Sequence, residues 1–473
     1  MTRPFALAFV LLLSAGAGMP MQAAAPDDAP ILHALNRLTY GPRPGDVERV
    51  KAMGLQKWIE LQLTPSRIDD RGLEARLQRL ETLTLDSETI QREYTGPAMQ
   101  ERRKRRLENP DAVRPEPGMR NGANMSPMNE SQRKSREVIT DLEEAKLLRA
   151  VYTDRQLEEV LVDFWFNHFN VFAGKGITRN FISEYEREAI RPYVLGNFRD
   201  MLGATAKSPA MLFYLDNWLS SAQGAQARRS SGINENYARE LLELHTLGVD
   251  GGYTQDDIVN VAKAFTGWTI ERPAAAFRFA PGRHDRSEKV VLGQTIKPGG
   301  MGEGERVLDI VAAHPSTARH IATKLAMRFV SDNPPAALID RAAATFTATK
   351  GDLREVVKVI LTSKEFSSPD AYRAKVKTPL EFVASALRAT GAEVRTALPL
   401  ARTLRDMGMP VYFCQPPTGY DETATTWVSA GALVSRMNFA VDLSKNAIRG
   451  VRVPLSEEQT LAMKIGAPEF QRQ

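Results

Sequence analysis

Cysteine is almost absent from this chain, since Cys414 is the only one among its 473 residues. One cysteine cannot form an intramolecular disulfide, so packing alone must stabilise the fold. Long apolar runs are also missing, and the composition is 43% hydrophobic and 25% charged. These features exclude an integral membrane protein and predict a globular chain with a large core.

Several common sequence signatures are missing as well. The chain has no phosphate-binding loop, dinucleotide fingerprint, nucleophile elbow, His-Glu-x-x-His zinc motif or cysteine pair. Their absence removes several familiar enzyme classes, and the sequence assigns no cofactor. It also lacks a recognisable nucleic-acid motif, so nucleic acid is not an expected partner despite the net charge of +5.

The first 25 residues have the layout of a secretory signal peptide. Arg3 precedes an apolar run over residues 5–13, and small residues end the segment at Ala25. The run is too short to span a bilayer, although an uncleaved membrane anchor is the alternative interpretation. We therefore expect a periplasmic or secreted protein with no transmembrane segment in the mature chain.

The rest of the sequence, residues 26–473, predicts an all-α fold: a large single domain of many helices. The one expected β excursion is a small hairpin formed by residues 277–280 and 289–292. Basic residues concentrate in residues 101–137, and the composition of this segment predicts a helix end and a flexible loop. Through this loop the protein could contact a polyanion or a membrane surface.

A predicted helix over residues 233–247 carries the most informative pattern. At 3.6 residues per turn Glu240 lies in the middle of its apolar face, and Asn236 and Glu243 lie within one turn of it. Two close carboxylates repel each other. Arg239 could pair with Glu243, a cation could bind, or one carboxyl could stay protonated and form an acid/base pair. A structural salt-bridge network is the alternative.

Three other places hold polar residues of interest. His168 falls on the buried face of a predicted helix. It is either a core histidine that donates to a backbone carbonyl, or a ligand or acid/base group. Asp216 and Asn217 end a helical turn, where such residues commonly cap or form turns. His284 and Asp285 lie on the predicted hairpin loop with no visible capping or packing duty, which favours contact with a substrate or metal.

Several motifs, in order along residues 31–442, resemble the bacterial family called domain of unknown function 1800. They include Phe-Trp-Phe-Asn-His from residue 164, Tyr-Leu-Asp-Asn from 214, the helix at 234–248, His-Asp at 284 and His-Pro-Ser-Thr-Ala-Arg from 314. The sequence departs from the family where Gly419-Tyr-Asp421 replaces a Gly-Trp-Pro motif. The resemblance implies an exported, mostly helical protein and implies no particular chemistry.

The leading hypothesis is a hydrolase acting on an envelope or extracellular polymer with buried carboxylates as acid and base. The expected catalytic residues are Glu240, Glu243, His284 and Asp285. The expected substrate-binding residues are His168, Asp216, Asn217, Asn236, Arg239 and Lys289. The alternatives are a metal-dependent enzyme and a non-catalytic periplasmic binding or assembly protein whose polar residues fix helix packing.

Overall fold

A computed structural model describes residues 28–108, 128–222, 232–454 and 458–473. The predicted signal peptide and the middle of the basic loop lie outside these residues. None of the helices in the described ranges is both long and apolar enough to cross a membrane.

The described chain is mostly α-helical, as expected. The first helices are α1 Ala29–Leu38, α2 Asp46–Met53, α3 Leu55–Gln62, α4 Arg71–Leu77, α5 Ser87–Thr89, α6 Gly96–Glu108, α7 Glu130–Tyr152, α8 Gln156–His168, α9 Ile182–Glu184, α10 Phe198–Lys207 and α11 Pro209–Tyr214. The later helices are α12 Glu235–Glu240, α13 Gln255–Ala264, α14 Met301–Ala312, α15 Pro315–Phe329, α16 Ala336–Ala348, α17 Leu353–Leu361, α18 Pro379–Ala389, α19 Leu398–Asp406, α20 Ala424–Trp427, α21 Ala430–Ser444 and α22 Glu458–Gly466.

Three π-helical turns interrupt or extend these helices. They are Ile90–Thr95, Tyr185–Ile190 and Leu241–Thr246. The apolar spacing of the sequence predicts one helix over residues 183–206, and that prediction is wrong because the structure divides this segment. After the second π turn comes a 3-10 turn, Arg191–Tyr193, and α10 then begins afresh with Asn197 as its N-cap. Pro192 in that turn has no amide hydrogen to continue the helical ladder.

Within the described ranges, the strands form three short antiparallel pairs instead of one hairpin. They are β1 Trp268–Ile270 with β2 Phe277–Phe279, β3 Lys289–Val291 with β4 Gln294–Ile296, and β5 Glu393–Val394 with β6 Val451–Arg452. Both predicted strands exist, but the predicted pairing between them is wrong. Each pairs with a closer neighbour in sequence, which costs less loop-closure entropy.

The centre of the molecule is built around α7 and α8. Helix α7 has 23 residues, starts at a capping box of Asn129 and Gln132, and contacts α4, α6, α8, α18 and α19. Helix α8 lies between α7, α1 and α3, and its Trp165 is completely buried. Buried apolar residues from α1 to α22 form one connected core. Charged side chains on α7 and α8 are consequently carried into the interior.

Packing in this core can be tested with two glycines of the same helix, α14. A Cβ on Gly304 would lie 2.6 Å from the indole of Trp268, which is completely buried. We expect Gly304→Ala to lower the free energy of unfolding by about 1–2 kcal/mol, because overpacking exceeds the gain in helix propensity. Urea unfolding measures this change.

Gly302→Ala is the matched control, because a Cβ at that exposed position meets no atom within 4 Å. It should leave stability unchanged or raise it by up to about 1 kcal/mol. Equal effects of the two substitutions would contradict the proposed packing of Trp268 against α14.

Candidate functional site

The helix that carries Glu240 does not continue as a regular α-helix. Helix α12 ends at Glu240, and the π turn Leu241–Thr246 follows. A π turn closes each hydrogen bond over one more residue than an α-helix does, so it rotates the side chains beyond it. Leu241 and Leu242 are completely buried, whereas Glu240 and Glu243 are half-buried. The prediction that Glu240 lies in the middle of the apolar face is therefore wrong.

Glu240 and Glu243 nevertheless influence each other. Burial and, to a smaller extent, the neighbouring Glu243 carboxylate raise the pKa of Glu240. Arg239 does not pair with Glu243; its guanidinium lies 3.7 Å from Glu235 and donates to Gln255 at 3.3 Å. Of the three expected ways to relieve the repulsion, this arrangement removes the pairing of Arg239 with Glu243.

Asn236 and the Asp216 turn meet at one backbone carbonyl. Asn234 donates to the Leu215 carbonyl oxygen at 2.9 Å, and the amide of the exposed Asn236 lies 3.5 Å from the same oxygen. The sequence-predicted turn and helix are thus brought together. Asp216 has a left-handed backbone with φ of 60° and pairs with Lys175 at 2.6 Å.

Asn217 lies next to this turn and is buried. Its amide lies 3.3 Å from the carbonyl oxygen of Phe265 and 3.4 Å from that of Trp268. Asp216 forms no side-chain cap hydrogen bond. Asp216 therefore acts as a turn former, and Asn217 ties the turn to the segment that leads into β1.

His284 is buried and tightly packed, so the expectation that it has no packing duty is wrong. Its Nδ1 lies 2.9 Å from the carbonyl oxygen of Thr266 and its Nε2 lies 3.0 Å from Glu303. Both ring nitrogens therefore have a polar partner inside the protein. Asp285 accepts hydrogen bonds from Ser287 and lies 3.4 Å from Lys289.

Glu303, which the sequence did not single out, is the centre of this network. It accepts from Lys289 at 2.5 Å and from the backbone amides of Gly299 and Gly300. Burial works against ionisation, but these donors and His284 outweigh it and lower the pKa of Glu303. Lys289 has no exposed surface. The sequence carries only a partial signal: Glu303 follows Gly300 by three residues and accepts from its amide, but glycine has no side chain to complete a capping box.

His168 is buried and makes the backbone contact expected of a core histidine. Its Nε2 lies 3.1 Å from the carbonyl oxygen of His245, and Nε2 of His320 lies 3.2 Å from that of Leu244. Carbonyls only accept, so both imidazoles donate to the π turn. Burial, followed by Lys324, lowers the pKa of His320 to about 4, and burial lowers the pKa of His168 well below its usual value.

These contacts do not describe a metal centre. Within the described residues, no group of three or more histidine, cysteine, aspartate or glutamate side chains is placed to hold a metal ion. No hydrogen bond or ion pair in that part of the chain joins Glu240 or Glu243 to His284, Asp285 or Lys289.

A small cavity, which we call the inner cavity, lies elsewhere, between α7, α8, α15, the start of α18 and the loop that follows α19. Its volume is about 60 Å³. It is lined by Lys146, Asp163, Phe164, Phe166, Asn167, Asn170, Arg328, Thr378, Leu380, Glu381, Met409, Val411, Tyr412, Cys414, Tyr420, Asp421 and Glu422. A space of this size can hold a few water molecules or a small chemical group.

Charged side chains reach this inner cavity in pairs. Lys146, only 2% exposed, lies 3.0 Å from Asp163. Burial works against its charge, but the carboxylate of Asp163 and those behind it outweigh burial and raise the pKa of Lys146. Arg328 forms a buried ion pair with Glu381, which also caps α18 by accepting from the Thr378 amide. Both cations are therefore neutralised inside the protein.

The loop that roofs the cavity is held by two asparagines at the end of α8. Asn167 donates to the Tyr420 carbonyl oxygen at 2.8 Å and accepts from the Tyr420 amide at 2.7 Å. Asn170 donates to the carbonyl oxygens of Cys414 and Pro416 at 3.0 and 2.7 Å. At Gly419, with φ of 74°, a Cβ would lie 2.3 Å from the Asn167 carbonyl oxygen. Two sequence motifs, at 164–168 and 419–421, thus meet here.

The end of this loop is also the wall of an outer groove. The groove has a volume of about 320 Å³ and is lined by Lys324, Met327, Thr418, Gly419, Tyr420, Asp421 and Glu422. Glu422 faces both compartments, and burial raises its pKa although Lys324, Arg328 and Lys375 act in the opposite direction. No hydrogen bond holds its carboxyl group within the described residues, whereas Asp421 accepts from Thr423 and Thr426.

A family model described as protein of unknown function (DUF1800) matches residues 33–471. The chain belongs to the DUF1800 family. No curated protein and no solved structure matches it at a significant level. The DUF1800 match covers both compartments, the roof loop and the network around Glu303.

The cavity residues Lys146, Asp163 and Glu422 were missed by sequence reasoning. Lys146 could have been found, since it lies one turn from the buried Leu142 and from Ala150 on the core face of α7. Asp163 directly precedes the motif at 164–168 in the mostly buried α8. Glu422 lies in a loop, where no periodicity marks burial.

The histidine contacts predict how stability depends on pH. Since the folded-state pKa of His320 is lowered to about 4, unfolding takes up a proton between about pH 4 and 6.5. Its contribution is fully present above about pH 6.5 and is lost as the pH falls toward 4. His320→Gln keeps a donor for the Leu244 carbonyl and should reduce the slope of stability against pH by up to about 1.4 kcal/mol per pH unit.

Urea unfolding at pH 7.0, 6.0 and 5.0 measures that slope. A slope in the variant equal to that of the wild type would contradict the neutral, partly buried state of His320.

Proposed function

We propose that the protein is a hydrolase that cleaves a glycosidic bond of an extracellular polysaccharide at the junction of the inner cavity and the outer groove. The observation that carries the proposal is that the carboxyl groups of Asp163 and Glu422, which differ in their charged partners, line the same cavity. Lys146 pairs with Asp163, whereas burial raises the pKa of Glu422. A half-buried carboxyl group with a raised pKa, beside a second carboxyl group paired with a lysine, offers candidates for a general acid and a general base.

The role of each carboxyl group follows from its burial and its partners. Glu422 holds a proton and gives it to the leaving oxygen as the bond from the sugar carbon to that oxygen breaks. Asp163, as the carboxylate, takes a proton from a water molecule in the inner cavity, and the oxygen of that water bonds to the sugar carbon. The inner cavity has room for the water and one small substituent, and the outer groove for the chain.

Glu240 and Glu243 form the second candidate carboxyl pair. Support for them comes from the raised pKa of Glu240 and from the π turn, since π turns are frequent at functional sites. The pair lines neither compartment described above. His284, Asp285 and Lys289 have their polar atoms engaged with Thr266, Ser287 and Glu303, which favours a structural role for them.

The test compares the two candidate acids directly. Glu422→Gln removes the proton donor at nearly constant volume and should lower kcat at least about 100-fold while the Tm stays within a few degrees. Product release from a panel of extracellular polysaccharides, measured as new reducing ends, gives the rate.

Glu240→Gln is the matched control, since both glutamates are half-buried and have raised pKa values. It should keep most of the activity. Loss of activity in Glu240→Gln with retention in Glu422→Gln would move the site to the π turn and reject the cavity assignment. No product from any polymer with the wild-type protein would reject the hydrolase and favour a non-catalytic binding protein.

A further inference from the structure

A second groove lies between the N-terminal half of α7 and α19. Its volume is about 430 Å³, within the range of ordinary ligand sites. It is lined by Met128, Arg133, Arg136, Glu137, Ile139, Thr140, Glu143, Leu398, Ala401, Arg402, Arg405 and Phe413. Four arginines thus face two glutamates.

Most of these arginines have no partner in the protein. Arg405 lies 3.2 Å from Glu143, which leaves it partly neutralised. The guanidinium groups of Arg133, Arg136 and Arg402 form no hydrogen bond or ion pair with any described residue, and all three side chains are exposed. Elsewhere in the structure, arginines such as Arg191 and Arg328 are paired with carboxylates. The groove is therefore positively charged and ready to bind an anion.

The floor between the arginines is apolar. Ile139, Leu398, Ala401 and Phe413 line it. A planar guanidinium binds a carboxylate or sulfate through two parallel hydrogen bonds, and an apolar floor suits the less polar faces of sugar rings. A concave site between two helices also fits a single polymer chain better than the flat surface of a bilayer.

The groove is connected to the inner cavity by one loop. Phe413 lines the groove, while its neighbours Tyr412 and Cys414 line the cavity. A chain bound in the groove therefore touches the same segment that roofs the cavity. Arg133 and Arg136 belong to the basic stretch seen in the sequence, but Arg402 and Arg405 come from a distant helix.

We infer that this arginine groove binds an anionic polysaccharide, carboxylated or sulfated, and thereby defines the substrate class of the enzyme. The link to catalysis rests on the proposed function, whereas binding in the groove does not. Uronic acids or sulfated sugars placed along the chain would meet Arg133 and Arg136 on one side and Arg402 on the other.

The experiment measures binding of the full chain to polygalacturonate and dextran sulfate by isothermal titration calorimetry at low salt. Fully methyl-esterified polygalacturonate, which has no charge, is the control polymer. We expect saturable binding to at least one anionic polymer, none to the ester, and a loss of at least about 10-fold at 0.5 M salt, because salt screens exposed charges. The double variant R133Q/R402Q should weaken binding at least 10-fold.

The control is R354Q/R452Q, which removes the same charge at two exposed arginines outside the groove. It should change affinity less than 2-fold. Equal losses in both double variants, or no binding to either anionic polymer, would overturn the inference.

Equally tight binding of a DNA duplex or of phosphatidylglycerol vesicles, with the same dependence on Arg133 and Arg402, would reject a polysaccharide as the occupant. If the groove binds an anionic polymer but no polymer is cleaved, the inference about the groove stands and only the proposed hydrolase activity is rejected.

Discussion

Neutralising the buried ammonium of Lys146 is the constraint on which the centre of this structure depends. A charge of this kind inside a protein costs several kcal/mol unless carboxylates surround it. Asp163 contacts it directly, and Glu186 lies behind, where it also accepts from Arg149, Arg191 and Tyr412. The central helices α7 and α8 are thereby fixed to the second π turn and to the roof loop.

The same cluster explains why a cavity persists in the core. Charged side chains that already have partners cannot collapse into the remaining space as apolar side chains would. Arg328 and Glu381 bound the other end, and Glu381 accepts further hydrogen bonds from Thr378 and Gln473. The inner cavity thus combines these charged side chains with an apolar lining that includes Phe164, Phe166 and Met409.

Sequence reasoning predicted the helical fold, because long amphipathic helices have strong periodicity and clear caps such as Thr254 with Asp257. It failed at Glu240, since a π turn cannot be distinguished from an α-helix by spacing alone. It also failed at His284, whose partner Glu303 lies 19 residues away. The sequence identified only part of the candidate site. It drew attention to the motif at 164–168 and to Gly419, but the contact between them depends on the tertiary fold. Lys146 and Asp163 are brought together by packing between α7 and α8, which a single sequence does not encode in its local pattern.

The way Asn167 holds Tyr420 has a consequence for motion. One side-chain amide engages both the amide and the carbonyl of the same residue, so neither hydrogen bond can break while the other keeps its geometry. Gly419 fits against the same asparagine without a side chain. Separation of the roof loop from α8 should therefore break both hydrogen bonds together.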